Sequence, residues 1–228
     1  MTQFRYVRPH SHSHLIRLSD VAGIADHLKR GGLAVLPTET GYMLAALATS
    51  TSAVERAFNV KQRAASQVMH VACSSLEMAE TIGRLKPYAA HLLGELTPGP
   101  ISVITGKAPL LPESLVSLNG TVGIRIPDHP ATLQVISAVG APLTATSLNA
   151  SGSAPASIDR ADLELLNWPE EDVVYVVADD ESIVHQKPST LVRLTGDEPE
   201  ILRAGPISES EVRLVASQAR FVAASNVT

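Results

Sequence analysis

The sequence predicts a layered α/β fold, in which helices pack against a β-sheet. Segments rich in Val, Ile, Leu and Thr recur along the 228 residues, as is typical of strands. Segments with apolar residues at helical spacing lie between them, and this alternation favours a sheet covered by helices over a helical bundle. Hydrophobic residues make up 45% of the chain, which is enough to form a buried core.

Strands are predicted at eight places in the chain. The first, at residues 31–36, is a short apolar run behind a glycine pair, and it ends at Pro37 in a loop corner. The other seven are residues 68–73, 101–105, 121–126, 143–146, 173–177, 190–194 and 200–203. No repeat, low-complexity tract or long linker separates them. The sequence therefore predicts one domain over residues 1–228, with its core at about 15–207.

Helices are predicted from capping boxes and from apolar periodicity. In a capping box a serine is followed three residues later by a glutamate. Three such pairs predict helices over residues 52–61, 74–82 and 208–224, opened by Ser52 with Glu55, Ser74 with Glu77 and Ser208 with Glu211. Further helical patterns occupy residues 86–96, 131–139 and 162–166.

Charge and composition exclude several classes of protein. Asp and Glu (23) outnumber Lys and Arg (18), and the formal net charge of -5 argues against broad attraction to nucleic acids or anionic membranes. No apolar run approaches the ~20 residues of a membrane-spanning helix, and the N-terminus lacks the apolar stretch of a signal peptide. A single cysteine, Cys73, fits a reducing compartment. We therefore predict a soluble, cytoplasmic protein.

Several familiar motifs are absent from the sequence. It contains neither the P-loop nor the dinucleotide-binding glycine motif, and it lacks H-E-x-x-H and G-x-S-x-G. His10, His12 and His14 alternate, so an extended segment would place three imidazoles on one face, where they could hold a metal ion. A solvated chain terminus is the simpler interpretation, and no metal site is predicted.

Polar side chains lie at the ends of predicted elements, where functional residues often occur. Glu39 and Thr40 follow the first strand. Lys61 and Arg63 end a helix, where two cations either interact with the helix dipole or bind an anion. Arg125 lies among apolar strand residues and needs an anionic partner, which is either a structural carboxylate or a bound ligand.

The later part of the chain adds further polar groups. Strand alternation places Thr121 and Gly123 on the face of Arg125. Residues 147–152 include the short hydrogen-bonding side chains of Ser147, Asn149 and Ser151 and end in a glycine. An ordinary turn also explains this pattern. Ser189 precedes one strand, and Arg203 ends the next.

Taken in order, these segments resemble the YrdC-like family of threonylcarbamoyl-AMP synthases over residues 31–207. The matching motifs are P-T-E-T-G-Y at 37–42, K-Q-R at 61–63, P-G-P-I-S at 98–102, T-V-G-I-R-I-P-D-H-P at 121–130, S-L-N-A-S-G at 147–152, S-T-L-V at 189–192 and L-R-A-G at 202–205. The T-G-Y at 40–42, the H-Q-K-P at 185–188 and the N-terminal M-T-Q-F look closer to the YciO branch. The resemblance implies a three-layer fold, with a twisted mixed sheet flanked by helices and a concave, positively lined face.

The resemblance also implies a nucleotidyltransferase activity. In this family L-threonine and bicarbonate give N-carboxy-threonine, whose new carboxylate attacks the α-phosphate of ATP and expels pyrophosphate. The product is threonylcarbamoyl-AMP, and a separate transferase complex moves its threonylcarbamoyl group to tRNA. ATP and Mg²⁺ are therefore expected, with the ion held mainly by phosphate oxygens.

The family's functional residues transfer to matching positions of this sequence. Positive charge would neutralise the phosphates, and positioning with electrostatic stabilisation would account for most of the rate. By resemblance, the expected roles are catalysis by Lys61 and Arg63; ATP binding by Arg63, Thr121, Ser147, Asn149 and Arg203; and threonine binding by Thr40, Arg125 and Ser189.

The sequence departs from the family pattern after Arg63. Ala64, Val68 and Met69 replace the usual loop residues. A histidine often found at the position of Ala72 is instead His70, two positions earlier, which points to the same face if the strand is regular. The chain resembles the single-domain form of the family. Two other functions stay open: a non-catalytic, translation-associated protein that binds tRNA or double-stranded RNA on the same concave surface, and a carbamoyl-adenylate activity like that of the related hydrogenase-maturation domain.

Overall fold

The computed structural model describes residues 2–61, 69–117, 119–148, 163–164, 166–169, 172–185 and 187–225. Its strands are β1 (Gln3–Val7), β2 (Leu33–Thr38), β3 (Gly41–Ala45), β4 (His70–Ala72), β5 (Gly83–Arg84), β6 (Ile101–Lys107), β7 (Thr121–Arg125), β8 (Leu143–Ser147), β9 (Val173–Val177), β10 (Thr190–Arg193) and β11 (Glu200–Arg203). Its α-helices are α1 (Leu18–Lys29), α2 (Thr51–Lys61), α3 (Leu76–Ile82), α4 (Pro87–Leu96), α5 (Pro130–Val139) and α6 (Glu209–Ser225).

The strands form one mixed sheet, which confirms the predicted fold class. Its order is β1-β9-β2-β3-β8-β4-β7-β6-β10-β11, with β5 paired to β6. The pairs β1/β9, β2/β9, β4/β7 and β6/β10 are parallel, and the others are antiparallel.

Helices flank the sheet on both faces. One face packs against α2, α3, α4 and α6, and its strands supply Leu33, Val35, Val103, Val122 and Ile124 to the larger apolar core. The opposite face packs against α1 and α5 through a second apolar cluster, to which its strands contribute Ala34, Leu36, Met43, Ala45, Ala72 and Leu143. Nowhere in the described part of the chain is a helix long and apolar enough to cross a membrane.

Three strands (β1, β3 and β5) and one α-helix (α1) are present where the sequence analysis predicted none. The N-terminus was expected to be solvated, but β1 pairs in parallel with β9, and Phe4 packs against Trp168 with ring centroids 5.6 Å apart. Residues 18–29 form α1, because its apolar side chains bury against the sheet. The predicted loop corner is a hairpin, because burial of β2 and β3 outweighs the poor strand propensity of Pro37.

The eight predicted strands are confirmed within about two residues at each end, but two predicted caps are wrong. Ser50, not Ser52, accepts from the N-terminal amides of α2, at 3.4 Å from Ala53 N. Ser75, not Ser74, caps α3, at 3.2 Å from Met78 N. Neighbouring serines offer the same oxygen, so the apolar face of the helix decides which one is used. The predicted cap Ser208 is confirmed. Of the predicted helix at residues 162–166, Leu163, Glu164 and Leu166 are described; the first two are helical, and Leu166 lies in a bend.

Candidate active site

The turn between β2 and β3 holds the first predicted site residue. Thr38 pairs with Gly41, so Glu39 and Thr40 form a two-residue loop. Gly41 has a φ of 123°, which side-chain-bearing residues rarely adopt. The Thr38 hydroxyl donates to the Gly41 carbonyl at 2.7 Å and accepts from Thr40 N at 3.2 Å. These bonds fix Thr40 at the tip of the hairpin.

Glu39 is only 2% exposed, although it is a charged residue in a tight turn. Its Oε1 accepts from Nη2 of Arg125 at 2.5 Å, and its Oε2 accepts from Asp128 N at 2.9 Å. Nη2 of Arg125 also lies 3.3 Å from the Thr40 hydroxyl. The carboxylate expected opposite Arg125 is therefore Glu39, which the sequence analysis did not include in the site.

The ion pair with Glu39 does not engage all the N–H donors of the Arg125 guanidinium. Its Nε is buried and has no hydrogen-bond partner among the residues that the structure describes. A guanidinium carries five N–H donors, and a buried donor without an acceptor is costly. Glu39 thus satisfies one part of Arg125, as the structural interpretation predicts, and leaves Nε without an acceptor among the described residues. Ligand binding by Arg125 stays a prediction.

A β-bulge brings Arg203 to the same place. Leu191 lies opposite Arg203, whereas the next residue, Val192, lies opposite Ile201, so Leu202 is an extra residue in β11. Such a bulge re-aims the side chains that follow it. Arg203 therefore points to the face of Ser189.

Ser189 connects Arg203 to the sheet. Nε and Nη2 of Arg203 donate to the Ser189 carbonyl at 3.0 and 2.9 Å, and Nη2 lies 3.3 Å from the Ser189 hydroxyl. That hydroxyl is 2.9 Å from the hydroxyl of Ser102 on β6, and both serines are buried. We call the group Glu39, Thr40, Arg125, Ser189 and Arg203 the arginine cluster.

The arginine cluster carries an excess of positive charge. Partial burial, and then the positive charge of Arg125, lower the pKa of Arg203. In the described chain, Glu39 is the one carboxylate that hydrogen-bonds to either guanidinium. Two guanidinium groups against one carboxylate favour a bound anion, and carboxylates and phosphates match a guanidinium with paired hydrogen bonds.

Other predicted residues lie farther along the same sheet face. Val122 and Ile124 belong to the larger core, so Thr121, Gly123 and Arg125 point away from it, as predicted. Thr121 lies about 13 Å along β7 from Arg125, at ~3.3 Å per residue, and its hydroxyl is 2.6 Å from that of Ser117. Ser147 is exposed at the end of β8 and shares the face of Ala145. Ser147 lies opposite Met43 of β3, near the hairpin that carries Thr40, and Arg203 lies beside Ser189.

The remaining predicted site residues are Lys61, Arg63 and Asn149. Lys61 is the last residue of α2, a helix that packs on the other face of the sheet. Arg63 and Asn149 lie outside the described residues, as do Ala64 and Val68 of the altered loop.

The imidazole of His70 lies next to Gly123 on the same sheet face. A Cβ placed on Gly123 would be 2.4 Å from Cδ2 of His70, so the imidazole occupies the space that the glycine leaves free. The sequence analysis predicted that His70 shares a face with Ala72. The structure confirms this, since Val71 between them points into the larger core.

The family is now identified by comparison with known proteins. The Sua5/YciO/YrdC family model, described as telomere recombination, matches residues 26–205. The chain belongs to this family. A Mycobacterium tuberculosis relative, provisionally named a threonylcarbamoyl-AMP synthase, is 33% identical over 186 residues, which are 81% of this chain and 83% of that protein.

Solved structures of the family share the fold. P. abyssi Sua5 complexed with L-threonine matches with a TM-score of 0.79 and 27% identity, over 93% of this chain and 60% of that one. This chain therefore spans about three fifths of that Sua5. E. coli YciO matches with a TM-score of 0.79 and 25% identity, over 93% of this chain and 100% of that one. The chain is threonylcarbamoyl-AMP synthase-like in sequence and fold.

Proposed function

We propose that this protein is a nucleotidyltransferase that makes threonylcarbamoyl-AMP from L-threonine, bicarbonate and ATP. The supporting observation is the arginine cluster, in which Arg203 contacts Ser189 and lies near enough to Arg125 for their charges to interact, while one carboxylate, Glu39, pairs with Arg125. The substrates are all anionic or carry a carboxylate, as this excess of positive charge requires. The similarity to a Sua5 that binds L-threonine supports the choice of amino acid.

The proposed reaction has two steps. The amine of threonine displaces water from bicarbonate, which forms an N–C bond and leaves an N-carboxylate. An oxygen of this carboxylate then bonds to the α-phosphorus of ATP, the bond from that phosphorus to the bridging oxygen breaks, and pyrophosphate leaves. Like charges repel in the second step, so the protein must neutralise them and align the reactants.

Residues of this sheet face are assigned to the two substrates. Arg125, with Thr40 and Ser189, binds the carboxylate of threonine. Thr121 and Ser147 bind ATP together with Arg203, whose guanidinium lies against Ser189. We also propose roles for Asn149 and Arg63, which lie outside the described residues, and for Lys61 at the C-terminal end of α2: Asn149 would bind ATP, and Lys61 and Arg63 would stabilise negative charge on the phosphates.

The described residues agree with Mg²⁺ held mainly by phosphate oxygens. Mg²⁺ prefers oxygen ligands, but the carboxylate of the arginine cluster, Glu39, already accepts from Arg125 and Asp128. When bound with ATP, the ion would neutralise phosphate charge. We further propose that the product passes in the cytoplasm to a separate transferase complex acting on tRNA.

Pyrophosphate release tests the proposal. With ATP, Mg²⁺ and bicarbonate, release should depend on L-threonine. Arg125→Ala should lower the rate at least about 100-fold, the scale of losing one electrostatic stabiliser. Arg125→Lys keeps the charge opposite Glu39 but loses the paired donors, so it should raise the KM for threonine while the protein stays folded.

Arg213→Ala is the matched control, because Arg213 is exposed on α6 and pairs only with Glu209 among the residues described. Its rate should equal that of the unchanged protein. Pyrophosphate release without threonine would contradict the proposal. Threonine-independent binding of tRNA or double-stranded RNA with no adenylate formed would instead favour the RNA-binding alternative.

A further inference from the structure

Three metal-ligating side chains converge outside the arginine cluster. Nδ1 of His14 lies 2.7 Å from Oδ2 of Asp179, and Nε2 of His129 lies 3.1 Å from the same oxygen. The three ligating atoms all lie within 4.8 Å of one another. We call these residues the histidine cluster. They come from the N-terminal segment, the start of α5 and the chain after β9, so the fold alone brings them together.

The N-terminal segment differs from the extended form that the sequence analysis considered. His14 N donates to the His10 carbonyl at 2.8 Å, and Ser13 N donates to it at 3.2 Å, so this segment is a turn. His10 and His12 are exposed, and only His14 of the three reaches Asp179. His14 has a φ of 53°, a left-handed conformation that is uncommon for residues other than glycine and that often occurs at functional sites.

We propose that the histidine cluster binds a divalent metal ion of the zinc class. Two imidazoles and one carboxylate are ligands that Zn²⁺ and Co²⁺ favour over Mg²⁺. A tetrahedral ion with bonds of about 2.0 Å holds its ligand atoms roughly 3.3 Å apart, close to the two N–O distances in the cluster. His14 is 31% exposed, so water can supply the fourth ligand.

The proton on His129 decides between a metal site and a purely hydrogen-bonded cluster. Nδ1 of His129 accepts from Thr132 N at 3.4 Å, so Nε2 carries the proton and donates to Asp179 when no metal is bound. Metal binding moves that proton from Nε2, and Nδ1 can take it only by giving up its contact with Thr132. That bond is at the long limit for N–H···N contacts, so metal binding exchanges this weak hydrogen bond and the bond from Nε2 to Asp179 for bonds from the metal ion to both side chains.

Direct binding to the full chain tests the site. After treatment with a chelator, the protein should bind one equivalent of Zn²⁺ or Co²⁺ by equilibrium dialysis, and bound Co²⁺ should give the absorption of a tetrahedral complex. Mg²⁺ should give neither signal. Bound Zn²⁺ should also raise the midpoint of thermal unfolding, because ligands that bind only the folded state stabilise it.

Variants assign the ligands. His14→Ala and Asp179→Asn should each weaken binding at least about tenfold, whereas the double variant His10→Ala/His12→Ala should bind as the unchanged protein does. His14→Ala alters a partly exposed terminal segment, so it decides the matter if Asp179→Asn does not fold. Binding that depends on His10 and His12 but not on His14 would overturn the proposal. So would the absence of stoichiometric binding, which would leave a hydrogen-bonded cluster only. Neither result bears on synthase activity.

Discussion

The sheet face opposite α2, α3, α4 and α6 has two halves that differ in what they present. The covered half lies under α1 and α5 and presents Ala34, Leu36, Met43, Ala45, Ala72 and Leu143. The uncovered half lies on β6, β7 and β10 and presents Ser102, Gly123, Arg125 and Ser189. No described residue of those three strands belongs to the apolar cluster under α1 and α5.

The difference shows how one sheet carries both a core and a site. A helix gains stability by covering apolar side chains, and it would lose stability by burying Arg125 without enough partners. Polar and glycine residues on β6, β7 and β10 therefore keep α1 and α5 from packing on that half of the face, where we propose that the ligands bind. Packing of α1 and α5 on the covered half holds the strands in place. The arginine cluster on the uncovered half is held by the same sheet.

The largest expected effect comes from removing the negative charge of Glu39, which pairs with Arg125 on the uncovered half. Glu39→Gln leaves Arg125, 9% exposed, without its charge partner. Breaking a buried ion pair from one side costs about 3 kcal/mol or more, and urea unfolding should show a loss of this size in the free energy of unfolding.

The matched control is Glu200→Gln, which breaks the pair between Arg193 and Glu200. Both side chains are well exposed, at 44% and 57%, so the loss should be less than about 1 kcal/mol. Equal losses for the two variants would mean that Glu39 does not compensate a buried charge.

A smaller effect is expected from filling the uncovered half. The Cβ of Gly123→Ala would meet the His70 ring at 2.4 Å, so the imidazole must move, at a cost of about 1–3 kcal/mol. Gly106→Ala on β6 is the control, because its Cβ would meet Arg84 at an ordinary 3.6 Å. If His70 causes the strain, adding His70→Ala to Gly123→Ala should recover stability in a double-mutant cycle. Additive losses would contradict this explanation.

Local patterns in the sequence predict most elements of the fold. The strand at residues 173–177 and the helix at residues 131–139 are confirmed almost to the residue, because apolar runs and helical periodicity are local properties. β1 was missed because its support comes from β9, about 170 residues away. β3 was missed because Pro37 and Gly41 are typical of loops, and the pairing of β3 with β2 cannot be seen in the local sequence.

The site is predicted less evenly. Thr40, Arg125 and Ser189 were expected together only because the motifs resemble a family, and the structure does bring Arg125 next to Thr40. The Glu39–Arg125 pair joins residues 86 positions apart, and His14 and Asp179 are separated by 165. No local pattern records contacts at such separations.

The smallest expected effect tests the covered half through pH. His27 on α1 packs against the Tyr175 ring with centroids 5.2 Å apart, and its Nε2 is buried with no hydrogen-bond partner in the described chain. Burial lowers the pKa of His27 below its ordinary 6.5, although Asp172 opposes the shift. As the pH falls through 6.5, the unfolded chain therefore takes up this proton before the folded protein does, and the free energy of unfolding decreases.

His27→Phe keeps a ring against Tyr175 but removes this titration. Urea unfolding at pH 7.5 and pH 5.0 should therefore show a smaller loss of stability on acidification than in the unchanged protein. Part of the loss should remain, because burial also lowers the pKa of His129. If acidification lowers the free energy of unfolding of His27→Phe as much as that of the unchanged protein, then burial of His27 does not disfavour its charged form.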